Sequence, residues 1–135
     1  MKTLVVCLSL LYILVLGCVG AAEINFNRAT QTKDVKLLKT VERLNPFVSD
    51  YFYREHRLNG DVNVLAHAIS LEPTKAAYHM YYGLALLKRS QRTKSSDEEA
   101  VTEICKAARL KPYSDAYRSA CEKYKAVIPI ANSWH

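Results

Sequence analysis

Cys105 and Cys121 lie about eight residues either side of Pro112-Tyr113. If the flanking segments are antiparallel helices, the two thiols come to similar height and a disulfide can form. Closing that loop would add roughly 3 kcal/mol in the chain-entropy picture. The other reading is two small buried thiols. His56, His67, His79 and His135 are the remaining candidates for proton transfer or metal ligation. They occur without HExxH, Cys-x-x-Cys, Gly-x-Ser-x-Gly or a phosphate-cradling glycine loop, so nothing pairs a nucleophile with a base. The expectation is a chain with no catalytic residue, metal or cofactor. His67 and His79 fall on faces crowded with apolar residues, where packing is the expected role. Tyr51, Tyr53, Tyr78, Tyr81, Tyr82, Tyr113, Tyr117 and Tyr124 follow helical spacing, as core or inter-helix filling does.

Whether the thiols meet an oxidant depends on the N-terminus. Lys2 precedes the apolar run "TLVVCLSLLYILVLGCVGA", and Val19-Gly20-Ala21 is the small-residue pattern that a signal peptidase cuts. Residues 1–21 therefore read as a cleaved export signal, which makes the protein secreted. Two alternatives put it at the outer surface: the run stays as a membrane anchor, or Cys18 in "VLGC" is lipidated. A membrane is a partner only in those cases. Cleavage removes Cys7 and Cys18 and leaves Cys105 and Cys121 for an oxidising compartment. The net charge of +6 falls to +5 with the loss of Lys2. Part of that excess is gathered in "KRSQRTK", Lys88 to Lys94, either a solvated loop or a binder of acidic glycans or lipid headgroups. No arginine-rich helix or stacked aromatic motif accompanies it, so no nucleic-acid partner is expected.

The elements that must position these residues read as helices. Residues 22–32 look like a loose lead-in. From 33 onward, apolar residues recur at steps of three and four in "KDVKLLKTVERL", "FVSDYFYREHRLNG", "DVNVLAHAISLEP", "KAAYHMYYGLALLKR", "DEEAVTEICKAARL" and "DAYRSACEKYKAV". Thr74 is placed to cap the fourth of these, Ser96 with Glu99 spells a capping box for the fifth, and Ser114 caps the sixth. The stretch 33–127 is thus an all-α domain of about six helices, followed by a tail, 128–135, that carries Ile128, Ile130 and Trp134.

"VERLNP", "AISLEP" and "AARLKP" end alike, with prolines 27 and 39 residues apart. His79, Tyr82, Gly83 and Leu86, then Ala100, Ile104, Ala107 and Pro112, follow the spacing of a repeated helix pair. This pattern resembles the tetratricopeptide repeat, a unit of about 34 residues. It departs from the family where His79 replaces an aromatic residue, where the unit ending at Pro73 is about seven residues short, and where "KSSDE" is inserted. The segment ending at Pro46 supplies only a second helix. A helical bundle without repeats is the rival architecture.

The resemblance implies a right-handed stack of antiparallel helix pairs whose first helices line a concave face that binds a protein or peptide. The matching positions are Asp50, Tyr53, Arg57, Ala77, Met80, Leu84, Lys88, Ser119 and Lys123. Tyr53, Tyr81, Ala116 and Ala120 stand where chaperone-binding relatives clamp a terminal carboxylate, so that activity is not implied. By analogy with the tyrosine-lined peptide-binding domain of collagen prolyl 4-hydroxylase, a proline-rich peptide is a second possible ligand.

Overall fold

The computed structural model describes residues 2–89 and 93–128. These form seven helices: α1 (Lys2–Thr32), α2 (Val35–Leu44), α3 (Ser49–Asn59), α4 (Val62–Leu71), α5 (Ala76–Leu87), α6 (Lys94–Leu110) and α7 (Asp115–Val127). No strand occurs among the described residues. The chain divides into two compact units, Met1–Asn59 and Gly60–His135.

In the first unit, α1 packs on α2 and α2 on α3. Residues 22–32 are not a loose lead-in: α1 runs unbroken to Thr32. The reason is a short apolar stripe. Ala22, Phe26 and Ala29 recur at steps of four and three; Ala22 and Ala29 are wholly buried, and Ala22 and Phe26 join Val41 and Tyr51 in one cluster. The Phe26 and Tyr51 rings lie 4.7 Å apart between centroids. Before Ala22 the side chains from Leu4 to Leu16 remain exposed. Lys33, at φ 56°, turns the chain out of α1. Asp34 then caps α2, accepting from the amides of Lys36 and Leu37 at 2.9 and 3.2 Å.

In the second unit, α5 packs chiefly on α6, with α4 and α7 as further neighbours of that pair. Gly60, at φ 75°, provides the break after α3 that Asn59-Gly60 announces. The nearly all-round apolar α5 buries Tyr78, His79, Met80, Gly83 and Leu86. One cluster joins Val62, Leu86 and Ala100; another joins Ala76, Met80, Ile104 and Ala107 and is covered by Tyr117, Ala120, Cys121 and Tyr124 of α7. No residue of α7 is itself buried.

Three caps differ from expectation. The N-cap of α5 is Lys75, not Thr74, with no side-chain bond to the free amides. The box at α6 is formed by Thr93 and Ser96 rather than by Ser96 and Glu99. Thr93 Oγ1 accepts from the Ser96 amide at 3.1 Å and Ser96 Oγ accepts from the Thr93 amide at 2.9 Å, which starts the helix earlier. Ser114 is the N-cap of α7 by position, but without a side-chain bond. A side chain that can cap competes with neighbours that can do the same, and spacing alone does not rank them. Trp134 in the tail and the centre of the basic loop fall within 129–135 and 90–92, outside the described residues.

Candidate functional site

The positions assigned to a concave face divide between the two units. Asp50, Tyr53 and Arg57 form a row along α3 at steps of three and four, with Asp50 and Arg57 exposed and Tyr53 half-buried. The Arg57 guanidinium donates to the Tyr53 hydroxyl at 3.3 Å, which orders the row. In the second unit, Ala77, Leu84 and Lys88 follow α5 from half-buried to exposed, and Ser119 and Lys123 are exposed on α7. Met80 is a correction. It is 7% exposed and sits in the cluster that α7 covers, so it packs helices instead of meeting a ligand. Its position one turn from both Ala76 and Leu84 puts it at the centre of the α7 contact.

Two polar constellations lie inside the helix packing. His79 has no exposed surface. Its Nε2 is 2.8 Å from the Pro73 carbonyl oxygen and its Nδ1 is 2.5 Å from Glu103 Oε2. A carbonyl only accepts, so Nε2 carries hydrogen, and one more proton lies between Nδ1 and the carboxylate. The imidazole thus ties the turn before α5 to α6 in the slot where the repeat pattern places an aromatic residue. Being enclosed, it meets no substrate. His67 is exposed, contrary to a packing role.

The other is a carboxyl pair. Glu55 is 2% exposed, accepts from Asn59 Nδ2 at 2.9 Å and lies 3.6 Å from Lys39 Nζ. Glu42 faces it, with its Oε1 buried and without a hydrogen-bond partner. Burial first, then the hydrogen bond and the repulsion from Glu55, push the Glu42 carboxyl up to about 8, with Lys39 opposing. Both residues fall on apolar stripes, Leu38-Val41-Glu42 and Tyr51-Phe52-Glu55, and a glutamate at such a position is the signal that sequence reading passed over.

A raised carboxyl stabilises the fold fully below its unfolded value near 4.5, and that stability is lost as pH rises through about 8. Stability of the first unit is therefore expected to fall between pH 5 and pH 9, by on the order of 1 kcal/mol after solvent screening. Urea unfolding of Glu42→Gln checks this: the variant should lack that fall and should be more stable than the parent at the alkaline end.

Cys105 and Cys121 are joined by a disulfide, with Cα atoms 4.7 Å apart. The bridge links α6 to α7 across the turn at Pro112, and Cys105 is buried while Cys121 is partly exposed. Among the described residues no three of His, Cys, Asp and Glu converge as a metal site requires.

No protein-family model matches the sequence, and comparison with curated proteins finds no significant match.

Proposed function

We propose that the chain is an exported, non-enzymatic module that holds a protein or peptide partner on its exposed helix faces. One observation carries the reading. On α3 the exposed Asp50 and Arg57 and the half-buried Tyr53 stand in one row, and Ser119 and Lys123 are exposed one turn apart on α7, with Lys88 exposed just past the end of α5. Such rows at helical spacing suit an extended or helical peptide, because tyrosine and arginine supply much contact area for little lost entropy.

Two further features support this reading. Packing of α1 begins at Ala22, just after Val19-Gly20-Ala21, so cleavage there would remove the exposed apolar half and leave Ala22–Thr32 as the first helix. The retained Ala22–Thr32 segment packs on α2 through Ala22 and Phe26, giving the segment that ends at Pro46 the partner a tetratricopeptide unit requires. The disulfide fits the oxidising compartment that an export signal leads to.

The test is affinity capture of secreted proteins or peptides on the chain expressed in a secretory host. Capture is expected to survive about 0.5 M salt, where exposed charges are screened, and to weaken about tenfold in Tyr53→Ala. Loss in salt with Tyr53→Ala unaffected would instead assign binding to the surface cations around Lys88.

A further inference from the structure

The exposed residues of α2 are Lys36, Lys39, Thr40 and Arg43. They recur at steps of three and four, so they form one row along the helix, about 10 Å long from Lys36 to Arg43. Three are cations, and none is acidic or apolar. Lys33, also exposed, precedes the row. The acids nearby do not cancel it. The Asp34 carboxylate is turned to the amides of Lys36 and Leu37, and Glu55, 2% exposed, pairs with Lys39. Glu42 is the only acidic residue within α2, and its carboxyl, pushed up to about 8 by burial, is mostly protonated near neutral pH. Among the described residues Lys33, Lys36 and Arg43 enter no ion pair. Four cations against Asp34 and Glu55 leave an excess of two positive charges. None of the positions assigned to a peptide partner lies on α2.

We propose that this face of α2 binds a linear sulfated glycan of the heparin type. A single exposed cation held against one anion gains only roughly threefold in affinity, too little to retain a free sulfate. A chain that carries sulfates in sequence engages the whole row at once and releases the counterions condensed on it, so the small gains multiply. The side chains of the row also decide between polyanions. An anionic membrane surface calls for apolar side chains beside the cations, and a single-stranded nucleic acid for aromatic ones on which bases stack. Lys36, Lys39, Thr40 and Arg43 offer neither. The exported chain proposed above would meet such glycans outside the cell.

The experiment measures binding of size-fractionated heparin oligosaccharides to the protein recovered from a secretory host. Binding is expected at low salt, with none to desulfated heparin and about tenfold loss at 0.5 M salt. Lys36→Gln/Arg43→Gln, which leaves the Lys39–Glu55 pair in place, should bind about tenfold more weakly. Arg89→Gln/Lys94→Gln, beside the centre of the basic loop, should bind as the parent does. Lysine acetylation read by mass spectrometry gives a second measure that needs no variant: heparin should protect Lys33 and Lys36 and leave the exposed Lys111 reactive. Unaltered affinity in the folded α2 variant, loss in the loop variant, or protection of Lys111 in place of Lys36 would overturn the proposal. So would binding to vesicles of phosphatidylserine and phosphatidylcholine without binding to heparin. Should the α2 variant fail to fold, the protection pattern decides alone.

Discussion

Gly83→Val is expected to destabilise the second unit by about 3 kcal/mol, in the range of overpacked cores. A Cβ at Gly83 would stand 2.6 Å from the Ala100 carbonyl oxygen, 2.7 Å from Ile104 Cγ1 and 3.2 Å from the Ile104 amide. Two of those three atoms belong to the backbone of α6, so no rotamer change relieves the contact and the helices must separate. Separation loosens the packing of Leu86 on Ala100 in the same layer. The helix preference of a larger residue over glycine offsets less than about 1 kcal/mol of this. Gly83→Ala should lie between the parent and Gly83→Val. Urea unfolding followed by helical circular dichroism gives both values, and an unchanged midpoint in Gly83→Val would show that α5 and α6 do not approach at this point.

Loss of the disulfide is the second large effect. Cys121→Ser is expected to cost about 3 kcal/mol, because an open loop gives the unfolded chain more freedom. The cost should be concentrated in α7, which buries no residue and depends on its tether more than any helix with a buried face. Amide exchange along Asp115–Val127 should accelerate while α5 and α6 stay protected. Cys105→Ser should cost more than Cys121→Ser, since it also places a hydroxyl at a site only 3% exposed. Adding reductant to the parent should reproduce the Cys121→Ser loss and leave that variant unaffected.

The helices from α2 to α7 are legible in the sequence because apolar residues recur at three- and four-residue steps and Pro46, Pro73 and Pro112 stop three of them. The cysteine pair is legible for the same reason: the turn at Pro112 sets both thiols at one height. The inner half of α1 is harder to read. Its stripe consists of two alanines and one phenylalanine among polar residues, and small residues carry little hydrophobic signal even when their smallness permits the contact. Met80 shows the limit of transferring positions from a resemblance. Spacing places it on a helix face, but whether that face meets a ligand or the next helix is decided by where α7 lies. The Glu42–Glu55 and His79–Glu103 pairs depend on contacts between different helices, which a pattern along one helix does not contain.

Native mass spectrometry of the protein recovered from a secretory host tests the central claim, an oxidised and exported binding module, most directly. The expected species begins at Ala22, is lighter than the reduced chain by two hydrogens, and carries a bound protein or peptide. A chain that keeps its first 21 residues, holds all its thiols free and flies without a partner would contradict the account.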